Sequence, residues 1–198
     1  MYLFLIAALS AQGRKGTENF IASARKNNKG ETLMLIGAIS DTHDNLPQIE
    51  KAVKYLNEQN VGLVLHAGDY VAGFVIPKFR QLNCKLIGVF GNNDGDHELL
   101  KKRFSETSNC TVRDRFATVT VDGVRIALLH GEETELLNAI VNSGYFDTVI
   151  HGHSHNRSIE KMGKTLAINP GELCGYLTGK STLALLDTVK NEAKIIEL

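Results

Sequence analysis

Asp41 and His43 stand two residues apart where an apolar run, Met34-Leu-Ile-Gly-Ala-Ile-Ser40, comes to an end. Five more metal-ligating side chains recur in that position along the chain. Asp69 follows Val61-Gly-Leu-Val-Leu65, Asn92 follows Cys84-Lys-Leu-Ile-Gly-Val-Phe90, and His130 follows Val124-Arg-Ile-Ala-Leu-Leu129. His153 and His155 follow Phe146-Asp-Thr-Val-Ile150. The set is two carboxylates, one amide and four imidazoles, with no sulfur. Mixed nitrogen and oxygen donors suit divalent Mn, Fe, Zn, Ni or Co, whereas Mg and Ca prefer all-oxygen shells. Seven ligands are more than one ion needs. Two ions sharing a carboxylate would sit ~3.5–4 Å apart, the spacing used for hydrolysis at phosphorus.

The elements that must place these groups are legible as short apolar strands alternating with helical faces. Such runs read as buried strands, and open α/β sheets bind ligands at the carboxyl ends of their strands. Side chains two apart on an extended backbone face the same way, which would pair Asp41 with His43 and His153 with His155. Asn45, Pro47 and Gln48 open a helix whose apolar face is Leu46, Ile49, Val53 and Leu56. Val75, Phe79 and Leu82 form a second short face, and residues 96–105 a third. Alternating strands and helices favour parallel pairing with right-handed crossovers. The period then changes: Asp122-Gly123 between Val119-Thr-Val121 and Val124–Leu129 signals a hairpin, and a charged helix runs from Glu132 to about Val141. Segments 158–162, 165–168, 182–187 and 192–198 read as antiparallel strands. His66 reads as a packing or supporting residue, and His97 as a surface helix residue.

Length and charge narrow the class. The chain has 198 residues, 43% of them hydrophobic, enough for one domain with a sizeable core. Lys plus Arg equals Asp plus Glu at 22 each, which argues against a broad basic surface for a nucleic-acid polymer or an anionic membrane. Cys84, Cys110 and Cys174 show neither disulfide nor thiolate-zinc spacing, and imply a reducing, cytoplasmic setting. Residues 1–33 read as an N-terminal extension, flexible or loosely docked, ahead of a domain over 34–198. Its apolar start, Met1 to Ala11, is too short to span a bilayer and has no basic residue before it.

Ser40-Asp-Thr-His43, Gly68-Asp69, Gly91-Asn-Asn-Asp94, His130-Gly131 and Gly152-His-Ser-His155 together resemble the five ordered motifs of calcineurin-like metallophosphoesterases. The similarity is to the small single-domain phosphodiesterases of prokaryotic type, which also carry a loop like Asn169-Pro-Gly171. It implies an α/β fold, a four-layer α/β/β/α sandwich of two mixed sheets. It further assigns Asp41, His43 and His155 to one ion and Asn92, His130 and His153 to another, with Asp69 bridging. The implied reaction is hydrolysis of a small phosphodiester by a metal-bridging hydroxide, with two divalent transition ions, manganese foremost. The alternatives are a phosphomonoesterase or nuclease, or a non-catalytic protein-binding scaffold like the retromer subunit that shares this fold. A homo-oligomer is left open. One departure stands out: Asn93 occupies the place where most of the family has a histidine that protonates the leaving group. Asn92, Asn93, Asp94 and Asp69 are therefore the residues expected at the reaction centre, with Asp94 orienting or capping.

Overall fold

A computed structural model describes residues 34–198, together with the backbone of two short paired strands, β1 (Arg25–Lys26) and β2 (Thr32–Leu33). The remaining residues of the N-terminal extension lie outside the described residues. From β3 (Leu35–Ile39) the chain alternates strand and helix: α1 (Leu46–Glu58), β4 (Leu63–His66), a 3-10 helix over Gly73–Gln81, β5 (Lys85–Gly88), α2 (His97–Ser105) and β6 (Cys110–Val112). The hairpin β7 (Phe116–Val121) and β8 (Val124–Leu129) follows, then α3 (Thr134–Asn142) and β9 (Thr148–Ile150). The last strands are β10 (Ser158–Met162), β11 (Thr165–Asn169), β12 (Thr182–Asp187) and β13 (Glu192–Glu197).

These strands make two mixed sheets. One has the order β13-β12-β3-β4-β5-β6, with β3 to β6 parallel; the other has the order β10-β11-β9-β8-β7. Ile36, Ala38, Leu63, Leu65 and Ile87 pack face to face with Val119, Ile126, Leu128, Ile150 and Ile168, forming the core between the sheets. The outer face of the first sheet is covered by Ile49, Val53 and Leu56 of α1, Val75 and Phe79 of the 3-10 helix, and Leu100 and Phe104 of α2. Ile140 and Val141 of α3 cover the second sheet. The result is the α/β/β/α sandwich that the family resemblance implied.

Local sequence explains several boundaries. Asn45 caps α1 by accepting from Gln48 N, with Pro at the start of the first turn. Pro47 costs α1 nothing there, whereas Pro77 falls inside the segment read as a helical face, and that segment winds as a 3-10 helix. One expectation fails. β11 pairs antiparallel with β10 but parallel with β9, so the C-terminal strands are not uniformly antiparallel. Its apolar residues, buried on both faces, fit the interior position it takes beside β9.

Gly37, in the middle of β3, lets α1 settle onto the sheet. A Cβ at Gly37 would lie 2.5 Å from Leu56 Cδ2, and Leu56 is fully buried. Gly37→Ala is expected to destabilise the metal-free protein by about 1–3 kcal/mol, the usual cost of overpacking, read from the denaturation midpoint at unchanged slope.

Candidate metal centre

The carboxyl ends of β3, β4, β5, β8 and β9, drawn from both sheets, open onto one rim, and the seven sequence-selected side chains meet there. Asp41 and Asp69 are buried, at 0% and 1% exposure. His155 Nε2 lies 3.4 Å from Asp41 Oδ1, and His43 Nε2 lies 3.9 Å from that oxygen and 3.5 Å from Asp69 Oδ2. His130 Nε2 is 3.4 Å from Asp69 Oδ2 and 3.0 Å from Asn92 Oδ1, and His153 Nδ1 is 2.9 Å from the same amide oxygen. Asp41 has His43 and His155 near it, and Asn92 has His130 and His153, while His130 Nε2 also comes within 4.0 Å of Asp41 Oδ1, so the clusters adjoin. Asp69 reaches both.

Several of these separations are too long for hydrogen bonds and suit two ligands flanking one ion at ~2.0–2.2 Å from each. Asp41 Oδ1 and His43 Nε2 are buried with no hydrogen-bond partner. Tautomers sharpen the point. His130 Nδ1 lies 2.8 Å from the Ala67 carbonyl and His155 Nδ1 lies 2.8 Å from Glu172 Oε2, both acceptors, so both Nδ1 atoms carry hydrogens. In the neutral rings, Nε2 lone pairs then face oxygen lone pairs, an arrangement that a cation or a proton must reconcile. The donor set and its unpartnered buried atoms fit divalent metal ions.

Burial pushes the Asp41 carboxyl up, against the lowering pull of His130. Burial would also raise Asp69, but His130 and two donors from Asn93 hold it well below the usual carboxylate range. Those donors are Asn93 N to Oδ1 at 2.9 Å and Asn93 Nδ2 to Oδ2 at 2.7 Å. Burial opposes charging His130, yet hydrogen bonding and attraction from Asp69 bring it to about 8.

The backbone that holds these groups is not extended. Asp41, His43, Asp69, His153 and His155 all have positive φ, between +37° and +67°. The premise that alternation along a strand pairs Asp41 with His43 is therefore wrong in its geometry. Each pair is brought together by left-handed turns just beyond a strand end, a costly backbone for residues other than glycine. The loops are laced to one another: Asp41 N donates to Gly68 O, His43 N to Asp69 O, Gly152 N to His130 O, and His153 N to Asp41 Oδ2. Gly152 permits a close approach between the loops that follow β9 and β3, since a Cβ there would lie 1.9 Å from Ser40 Oγ.

Asp94 caps no helix; Asp96 does that. Its carboxylate accepts from Asp69 N, Tyr70 N, Val71 N and Gly91 N at 2.7–3.0 Å, pinning the Asp69 loop to the Asn92 loop. His66 is fully buried, and burial drives its pKa down to about 3. It accepts from Gly68 N at Nδ1, so Nε2–H donates to Thr42 Oγ1, which in turn donates to Asp69 O. His97 stacks on Phe90 with centroids 4.1 Å apart. Sequence reading passed over Glu172, whose carboxylate receives His155. Its only signal was an acidic residue directly after Asn169-Pro-Gly171.

The chain matches the model of the calcineurin-like phosphoesterase superfamily domain over residues 34–191, and it belongs to that family. It is 44% identical over 165 residues to a phosphodiesterase of Methanocaldococcus jannaschii, covering 83% of this chain and 99% of that one. A solved archaeal phosphodiesterase superposes with a TM-score of 0.79 at 43% identity, over 83% of this chain and all of the other. The Vps29 of Entamoeba histolytica, solved in complex with zinc, shares the fold at 19% identity and a TM-score of 0.59, over 83% of this chain and 98% of that one.

A metal ion held by His130 would need that ring neutral, so its proton would compete with binding. Affinity for a divalent ion is expected to rise with pH up to about 8 and then level off, with proton release on binding largest below that pH. Calorimetric titration in buffers of different ionisation enthalpy measures this; a flat affinity from pH 6 to 8.5 would contradict it.

Proposed function

We propose that this protein is a metal-dependent phosphodiesterase that hydrolyses a small phosphodiester at a dinuclear centre. The observation that carries the reading is the convergence of metal-ligating side chains on Asp69, with His43 and His130 within 3.5 Å of its Oδ2, combined with 44% identity to a phosphodiesterase. Two divalent cations in such a site supply Lewis-acid activation of water and charge stabilisation on the phosphoryl oxygens. Manganese is the foremost candidate, and iron, cobalt, nickel and zinc suit the same donors.

The chain's own residues set the rest. Asp41, His43 and His155 would hold one ion, Asn92, His130 and His153 the other, and Asp69 would bridge. Asp94 keeps the bridging carboxylate in place through the backbone around it. Asn93 commits its backbone and side-chain N–H groups to Asp69 and has no titratable proton to deliver to a leaving group. His97, stacked on Phe90, is not hydrogen-bonded to the ligand cluster among the described residues. The leaving group thus departs without a general acid from this loop. Zero net charge favours a small diester over a polymer. Three free cysteines favour a reducing, cytoplasmic setting, and no helix among the described residues is long and apolar enough to cross a membrane. The scaffold reading is disfavoured because all seven ligand types are retained.

Hydrolysis of bis(p-nitrophenyl) phosphate should vanish on metal stripping, return with manganese, and fall by at least about 100-fold in Asp69→Asn. No turnover of this diester or of p-nitrophenyl phosphate by the manganese-loaded protein would overturn the catalytic reading. Across a series of aryl and alkyl diesters, kcat should fall steeply as leaving-group pKa rises. A flat series would mean that another group supplies the proton.

A further inference from the structure

Glu172 is fully buried and is the acidic residue that touches a ligand histidine from behind. It follows β11 in a segment whose backbone runs beside Ser40 and Asp41: Leu173 N donates to Ser40 O and Cys174 N to Asp41 O. Its own carbonyl accepts from Thr182 N, and Thr182 Oγ1 donates to Pro170 O, so the main chain is anchored on both sides. The two carboxylates therefore flank the His155 ring, Glu172 at Nδ1 (2.8 Å) and Asp41 at Nε2 (3.4 Å).

Both Glu172 oxygens are loaded with donors. Oε2 faces His155 Nδ1, the Cys174 thiol at 3.2 Å and Leu177 N at 3.1 Å; Oε1 accepts from Leu177 N, Thr178 N and Thr178 Oγ1. Leaving His155 aside, the Leu177 N–H reaches both oxygens and the Thr178 N–H reaches Oε1, with the Thr178 hydroxyl and the Cys174 thiol beside them, so the side chain acts as an acceptor only, hence as a carboxylate. An acceptor at Nδ1 fixes the hydrogen there and leaves the Nε2 lone pair for an ion.

We propose that Glu172 is a positioning residue of the metal centre: its buried carboxylate holds His155 as the Nδ1–H tautomer, aims Nε2 at the space beside Asp41, and sets the affinity of the ion held there. The proposal rests on the metal-centre reading above. It goes beyond anchoring of the 175–178 loop, because an anchor alone has no effect on which nitrogen of His155 carries the hydrogen. Gln at this position cannot substitute fully. An amide keeps one acceptor oxygen, so its NH2 must face either His155 Nδ1–H or the Thr178 donors.

The test has two arms. In the metal-free wild-type protein, long-range 15N–1H correlation spectra should show that the neutral His155 ring carries its hydrogen on Nδ1; a neutral ring with the hydrogen on Nε2 overturns the proposal without any variant. In manganese titrations followed by the EPR signal of the free ion, Glu172→Gln should weaken one of two binding steps by about 10–100-fold and leave the other within a few-fold. The metal-free variant should melt cooperatively. Equal affinities in a folded Glu172→Gln protein defeat this inference alone, whereas a wild-type chain that binds no manganese defeats it together with the metal-centre reading.

Discussion

Two carboxylates with almost no contact with water, Asp41 and Asp69, face three imidazoles, those of His43, His130 and His155, across gaps of 3.4–4.0 Å, and the rest of the molecule is arranged around that fact. Removing an ion from water costs several kcal/mol even after relaxation, so buried charges persist only where partners surround them. Here part of the compensation is protein: Asn93 on Asp69, the His153 backbone on Asp41, and His130 between both. The unpartnered Asp41 Oδ1 and His43 Nε2 mark what protein groups leave undone. Divalent cations are the chemistry that completes such a set.

Holding the set requires backbone that strands cannot supply. Five of the seven candidate ligands sit in left-handed turns, and each such residue costs of order 1–3 kcal/mol. Asp94, with four backbone donors, and the His66–Thr42–Asp69 chain of hydrogen bonds offset that strain from beneath. Both supports are buried, and both connect loops from different strands. The site is consequently a property of the two-sheet sandwich rather than of any one loop. His130 and His153 come from one sheet and Asp41 and Asp69 from the other, locked by His153 N to Asp41 Oδ2.

Much of this was legible in residue order. Strand-end placement of Asp41, Asp69, Asn92, His130 and His153 followed from apolar runs that end in polar residues, and the Asn45 cap and the Asp122-Gly123 hairpin followed from local chemistry. Three features were not legible, each for a physical reason. The parallel pairing of β11 with β9 is a long-range choice with no local signal. The positive φ of five candidate ligands goes with hydrogen bonds between loops distant in sequence, such as Asp41 N to Gly68 O and His43 N to Asp69 O, which no local pattern announces. Glu172 became visible only when folding placed it against His155, seventeen residues away.

The central claim, that seven side chains from two sheets hold two ions around Asp69, is tested most directly by crystals soaked in manganese and measured for anomalous scattering. The account predicts two peaks ~3.5–4 Å apart. One should contact Asp41, His43 and His155, the other Asn92, His130 and His153, with Asp69 touching both. A single peak, or none at Asp69, would contradict it.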